Sequence, residues 1–518
     1  MNTAAATQPE NVTTAIQGNL FLQSPETDLH GFLVETARFA SLHTEIIEQI
    51  DEHLDSAALK KKRLRIADRK FLESPAGWLA GLQTAGRRPD AGALVLETGR
   101  PRMPARLVFM FLMLRGFLGN LTSAASRRML AESTSLQVMA ANHGLESMPA
   151  PNTILAHLNN LPPSVHESIL DAQIADFLDE ELDEFSHLTQ DSTSVFANSE
   201  WPTDGKVIIG LAARTLRTGK IFGKLGFAPF RQWHVPGWIE QMERLEYEIC
   251  LSAGKPGSRR RMKRAYKKIH AKARKAAGRL EAELKHCVAG MERKAVAPSR
   301  RRTLRLAIKQ MRRDIADIRK VAGYSEKRVM HGESLPAKEK ILSLSDGSAA
   351  YIKKGGRQAV IGYKPQICRS AEGFIVNLEV PEGNASDSER FKPVVEKAVR
   401  RTGVAPVSLS VDDGYSSKKN REHFAGDIPV VSMGGAKGKK ITPPEEWDSP
   451  EHKEARRMRS AIESMMYTIK HNFEFGRLGR RGIEAVRCEL SEKAIAYNFC
   501  RAMLIRKRLA AERASTAA

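Results

Sequence analysis

PVSLSVDDGY (406–415) is a short buried strand that runs into two acidic residues and a glycine turn. SERFKPVVEKAVRRTG (388–403) before it has helical spacing, and GFIVNLEV (373–380) before that reads as another strand. Strand, helix and strand in this order predict a crossover in an α/β sheet. Working outward, KILSLSD (340–346), AAYIKK (349–354), AVIGYKPQICRS (359–370) and VVSM (430–433) also read as strands. So do HLTQDSTSVF (187–196) and VIIGLAART (207–215) far upstream. GGAKGKK (434–440) reads as a glycine-rich loop, and the chain from about 449 as helical. The expected fold class is α/β, with a mixed sheet in the middle and helices at both ends.

The N-terminal half has a different texture. Residues 1–30 are polar and are expected to form a disordered tail. Residues 31–180 read as all-α, with a basic cluster from Lys60 to Arg65. LVFMFLMLRGFLGN (107–120) is the most apolar run, too short and, with Arg115 inside it, too charged to span a bilayer. SAASRRMLAE (123–132) and PAPNTILAHLNNLPP (149–163) predict short helices joined by tight turns. With Arg127 and Arg128 on the surface, that pattern suits a DNA-binding region resembling a helix-turn-helix; a plain helical bundle is the alternative. The five cysteines are scattered, with no CxxC pair and no zinc-ligand spacing. With no secretory signal at the N-terminus, the expected location is the cytoplasm.

Charge narrows the partner. The chain has 82 Lys and Arg against 60 Asp and Glu, a net +22. Residues 255–320 alone hold 24 Lys and Arg against 5 Asp and Glu, a local +19. Two apolar stripes run through this region at spacings of three and four. One is Met262, Tyr266, Ile269, Ala273, Ala276, Leu280, Leu284 and Cys287; the other is Leu304, Ile308, Met311, Ile315, Ile318 and Ala322. They predict an antiparallel helical hairpin turning at 295–298. Such concentrated positive charge favours phosphate binding, with Arg260, Lys263 and Lys267 as candidate contacts. A membrane surface is disfavoured because the apolar face is Ala-rich and lacks Trp or Phe anchors.

Three carboxylates could carry chemistry. Asp191 ends an upstream strand, Asp412 ends PVSLSV, and Glu463 lies on a helix in RSAIESMMYTIKH (459–471). Acids at strand C-termini gather where sites form in α/β folds, and hard oxygens suit Mg²⁺. Two such ions about 4 Å apart serve in-line displacement at phosphorus. Asp204 competes with Asp191, and Asp413 with Asp412. GxSxG, GxxxxGK[ST] and HExxH are all absent, which disfavours acyl hydrolases, NTPases and zinc proteases.

Taken together, QDSTSV (190–195), VIGYKPQICRSAEGFIVNLEVPEGNASDSERF (360–391), SVDDGYSS (410–417) and Arg459-x3-Glu463-x6-Lys470 resemble insertion-sequence DDE transposases with a ribonuclease-H-like catalytic domain. TGRPRMPARLVFMFLMLRGFLGNLTSAASRRML (98–130) is similar to their N-terminal DNA-binding region, and the subgroup most resembled is the one labelled ISNCY. Gly383, Asn384 and Asp387 fit the family's GN…D turn. In one branch a Tyr stands three residues before the Arg; here that position is Arg456, so the role of that Tyr is not carried over.

The resemblance implies that Asp191, Asp412 and Glu463 ligate two Mg²⁺ ions, with Mn²⁺ as a substitute. Arg459 and Lys470, on the face of Glu463, would reach phosphates, as would Lys437, Lys439 and Lys440. The partners implied are double-stranded DNA, namely the element's inverted repeats and the target, with a homodimer on paired ends and no membrane. A bacterial host follows from the same reading. A nuclease of the same fold and a catalytically inactive DNA-binding relative are the alternatives. The expected layout is a tail (1–30), a helical DNA-binding region (31–180), a first core segment (186–229), a basic hairpin insertion (230–330), the rest of the core (331–505) and a tail (506–518).

Overall fold

The computed structural model of the protein describes residues 29–74, 102–121, 124–199, 203–292, 296–353 and 358–517. Of the expected disordered tail, only residues 29 and 30 fall among them, and they begin a helix. The chain divides into two compact units, one of 1–55, 100–198 and 348–518 and one of 56–99 and 199–347.

The first unit opens with helices α1 (Leu29–Leu42) and α2 (Thr44–Glu73), the latter continuing into the second unit. Then come α3 (Ala105–Leu118), α4 (Ala124–Glu132), α5 (Thr134–Asn142), α6 (Pro151–Leu158) and α7 (Pro163–Asp179). Strands β1 (His187–Ser192) and β2 (Val195–Phe196) precede the second unit. That unit contains α8 (Asp204–Lys224), α9 (Val235–Ser252), α10 (Ser258–Glu292) and α11 (Pro298–Glu326). The first unit resumes with β3 (Ala350–Ile352), β4 (Val360–Tyr363), β5 (Gln366–Ser370), β6 (Ile375–Glu379), α12 (Asp387–Thr402) and β7 (Ser408–Val411). It ends with α13 (Lys418–Phe424), β8 (Val430–Met433), α14 (Gly435–Ile441), α15 (Pro444–Trp447), α16 (Pro450–Asn472) and α17 (Ile483–Ala517).

The main sheet has five strands in the order β6-β5-β1-β7-β8. β1 runs antiparallel to β5 and parallel to β7, which is parallel to β8. β2, β4 and β3 form a separate antiparallel sheet. Helix α12 packs on β5 and β6, and α16 packs across β1, β7 and β8. Asn498 on α17 steadies the start of β6, accepting from the Ile375 amide at 2.8 Å and donating to its carbonyl at 3.0 Å.

The apolar run from Leu107 to Leu114 becomes the centre of α3, and each of its residues is buried. A helix apolar on every side must be surrounded, and α1, α6 and α17 surround it. Gly116 permits the closest approach, since a Cβ there would stand 2.3 Å from the Glu492 carbonyl oxygen. Arg115 brings a charge into this core. Its guanidinium grips Glu492 with two bonds, Nε to Oε2 at 2.9 Å and Nη2 to Oε1 at 2.8 Å. His166 Nε2 lies 2.9 Å from Glu492 Oε1, and Arg480 pairs with Oε2. Burial works against the Glu492 carboxylate, but Arg115, Arg480 and His166 hold its pKa far below the usual range. Burial alone would depress His166; its hydrogen bonds to Cys488 and Glu492, with the Glu492 charge, push it up to about 9.

In the second unit α8 to α11 share one core, which includes Ile269, Ala273, Leu280, Met311, Ile315 and Ile318. The two predicted stripes thus become the inner faces of α10 and α11, which pack on each other. Several expectations differ from the structure. VIIGLAART (207–215) is part of α8, because Val207, Ile208, Leu211, Ala212, Thr215 and Leu216 share a helical face that is buried. Residues 199–229 therefore belong to the helical unit, not to a first core segment as the sequence layout had it. KILSLSD (340–346) forms no strand: Arg214 takes the Leu344 carbonyl at 2.5 Å, and Ser343 Oγ accepts the Asp346 amide at 2.9 Å. At the C-terminus, 506–517 continues α17 where a tail was expected, and Arg506 is paired with Glu35 and Glu180.

Glu492→Leu leaves Arg115, Arg480 and protonated His166 without their common anion, and should cost about 3–5 kcal/mol in denaturant unfolding of the full chain. The His166 pKa is raised on folding, so its contribution is complete below pH 6.5 and is lost as pH rises towards 9. Unfolding measured at pH 6 and pH 9 should show a drop for the wild type that is much reduced in His166→Phe.

Candidate active site

Strand pairing sets the geometry. Gln190 of β1 stands opposite Val411 of β7 in the parallel register, so Asp191 and Asp412 follow side by side at neighbouring strand ends. Asp191 Oδ1 accepts from the Ser192 amide at 2.6 Å, and Asp412 Oδ1 accepts from the Gly414 amide at 2.9 Å, fixing the turn after β7. Asp413 has another task. Its Oδ1 accepts from the amides of Lys437 at 2.8 Å and Gly438 at 3.4 Å, tying that turn to α14. Of the two adjacent acids, Asp413 is thus spent on structure. Asp204, the rival to Asp191, belongs to the second unit, where both its oxygens bind Arg328 Nη1 at 2.9 and 2.7 Å.

Glu463 lies on α16, whose buried face is Ala455, Ile462, Met465, Met466 and Ile469. Its side chain is 66% exposed and stands 3.4 Å from Arg459 Nη1. The Arg459 stem passes 3.8 Å from where a Cβ on Gly434 would sit, just beyond β8. The structure therefore brings Asp191 and Asp412 together and puts Glu463 on the helix that covers their strands. Among the described residues, no three His, Cys, Asp or Glu side chains gather closely enough to hold a metal ion.

Behind the two aspartates is a polar network that the sequence indicated only as a family turn. Asp387 Oδ1 accepts from Lys364 Nζ at 2.8 Å and from Gln366 Nε2 at 2.9 Å. Gln366 Oε1 in turn accepts from the buried Tyr415 hydroxyl at 2.5 Å and from Gln190 Nε2 at 3.3 Å. Burial disfavours the Asp387 carboxylate, yet its bonds from Lys364, Gln366 and Ser192 lower its pKa. Burial, then the charges of Asp387, Asp191 and Asp412, raise Tyr415 well above a normal phenol, so its hydroxyl stays protonated.

The candidate phosphate contacts are dispersed. Arg127 and Arg128 are exposed on α4, and Arg260 and Lys267 on α10. Lys263 is half-buried, and its ammonium bonds the Met330 carbonyl at 2.9 Å. Lys437, Lys439 and Lys440 are exposed, but they lie on helix α14 where a loop was expected. Gly438 is needed there because a Cβ would meet the Met433 carbonyl oxygen at 1.8 Å. Lys470 is half-buried on α16, with its stem beside Gly476. Arg456, at the position of the missing Tyr, stacks over Trp447 at 4.0 Å.

Residues 328–499, which include Asp412 and Glu463, match the family model of the transposase DDE domain. Over this third of the chain the sequence is similar to transposase DDE domains. A relative named "Transposase for insertion sequence element IS1106", from Neisseria meningitidis serogroup B, is 24% identical over 177 residues. That likeness covers 34% of this chain and 57% of the relative, so the chain spans little more than half of the relative's length. No solved structure matches. The DDE domain as matched starts after Asp191, which joins Asp412 through strand pairing alone. Among the described residues, no helix is long and apolar enough to cross a membrane.

Asp413→Ala should lower stability by about 1–2 kcal/mol by leaving the Lys437 and Gly438 amides without their acceptor. Faster hydrogen exchange at those two amides would confirm the tether; unchanged exchange would remove it.

Proposed function

We propose that the protein is the DNA transposase of an insertion sequence, which binds the element's inverted repeats, nicks the DNA and joins the freed 3′-OH ends to a target. One observation carries the reading: Asp191 and Asp412 stand side by side at the ends of adjacent parallel strands, in a chain whose C-terminal part is similar to transposase DDE domains. The order β6-β5-β1-β7-β8, with β1 antiparallel to β5 and parallel to β7, supports a ribonuclease-H-like core.

Transposases of this family generally use divalent metal ions. The donor set fits Mg²⁺, since Asp191 and Asp412 offer hard oxygens at one sheet edge and Glu463 can be added from the helix above. Two bound ions would activate the attacking oxygen and stabilise the leaving one. Glu463 would reach that edge by exchanging its 3.4 Å bond to Arg459, which would free the guanidinium for a phosphate. In the nicking step a water oxygen attacks phosphorus, and the departing 3′ oxygen takes up a proton. In joining, that 3′-OH attacks a target phosphate and displaces the target's own 3′ oxygen. Lys470 supplies positive charge on the same helix.

The solvent faces of α10 and α11 give the second unit a phosphate-binding surface. Arg260, Arg264, Lys267, Arg305, Lys309 and Arg312 are all exposed there. Arg127 and Arg128 on the short helices of the first unit are the proposed contacts of an N-terminal DNA-binding region. Joining two ends in one event calls for a homodimer, acting in the cytoplasm.

The test is cleavage of labelled element-end DNA with Mg²⁺ or Mn²⁺. The wild type should nick and strand-transfer. Asp191→Ala, Asp412→Ala and Glu463→Ala should bind the DNA and lose at least about a thousandfold in rate, comparable to other residues that stabilise transition-state charge. Cleavage without joining would make the protein a nuclease; binding without cleavage would make it an inactive relative.

A further inference from the structure

Asp387 is a third carboxylate beside the two strand-end aspartates. Its Oδ2 and Asp412 Oδ1 lie 3.5 and 3.0 Å from the point where a Cβ on Gly414 would sit, so both carboxylates border the same glycine. Two carboxylates this near one another, with Asp191 beside Asp412 in the strand register, repel unless a cation intervenes. Lys364 is that cation: its Nζ is 2.8 Å from Asp387 Oδ1, and both side chains are largely buried, at 10% and 14% exposure. Lys364 also donates to the Ala385 carbonyl at 3.3 Å, on the turn that leads into α12.

Asp387 holds the neighbours of both aspartates. It accepts from Ser192, next to Asp191. Through Gln366 it is linked to Tyr415, three residues past Asp412, and to Gln190, just before Asp191. These residues come from β1, β5, the start of α12 and the turn after β7.

We propose that Asp387 and Lys364 are a positioning pair, in which a tethered ammonium neutralises the third carboxylate of the sheet edge, so that Asp191 and Asp412 there, with Glu463 from α16, present the anionic oxygens to a divalent cation. The proposal rests on the metal-site reading above. It differs from a purely structural role in the sign of what each partner's loss does. Asp387→Asn leaves a buried ammonium beside the two aspartates, where it competes with the cation. Lys364→Met leaves an uncompensated carboxylate that adds to the attraction.

The experiment is titration of the full-length protein with Mn²⁺ alone, followed by paramagnetic resonance of the free ion, with thermal melts of each variant alongside. Asp387→Asn should weaken Mn²⁺ binding at least about tenfold, Lys364→Met should strengthen it severalfold, and Lys364→Arg should stay near wild type. Both Asp387→Asn and Lys364→Met should melt lower. Shifts of the same sign, or none, in variants that remain folded would overturn the positioning role and leave the DDE reading intact. A wild type that takes up no Mn²⁺ would overturn both.

Discussion

The first unit depends on how one buried carboxylate is neutralised. Glu492 is 1% exposed and holds Arg115 from α3, His166 from α7 and Arg480 from the segment before α17. Placing an ion there without partners would cost several kcal/mol. With three cations converging on it, the same desolvation locks segments that lie hundreds of residues apart in sequence. Apolar packing alone tolerates small sliding between helices; the two-pronged Arg115–Glu492 bond does not. α17, fixed in this way, also brings Asn498 to the start of β6 and so sets one border of the sheet.

From that border the order of the sheet delivers the site. β1 sits in the middle, antiparallel to one neighbour and parallel to the other. Asp191 and Asp412 come together because the parallel register sets Gln190 opposite Val411, and backbone hydrogen bonds enforce that more tightly than side-chain packing could. The acids then need an opposing charge nearby. Lys364 supplies it from within, and the cations of α14 and α16 stand at the perimeter.

Much of this was legible in the sequence. PVSLSVDDGY and QDSTSV marked the strand ends because each apolar run stops at an acid, and the stretches taken together carried the family resemblance. The stripes of α10 and α11 were legible because helical spacing persists over many turns. What stayed hidden was non-local. VIIGLAART has enough β-branched residues to pass for a strand, and only the burial of one helical face in the second unit decides otherwise. GGAKGKK looks like a loop until Asp413 receives its amides. Glu492 carries no local sign of its role, since Arg115 lies 377 residues away. Asp387 was visible in the family turn and Lys364 lay unremarked in the same stretch, but their 2.8 Å bond joins residues just past β4 and at the start of α12.

The helical unit between β2 and β3 also affects the history of each molecule. β1 cannot complete its parallel pairing until β7 has been made, 221 residues later. At ordinary rates of synthesis that is about 10 to 45 s. During this time the nascent β1 has unpaired edges of the kind that template aggregation. The intervening helices are built largely from local contacts, which form fast. The insertion can thus fold while the sheet waits, shortening the part of the chain that is still unstructured when β5 and β7 reach their partner.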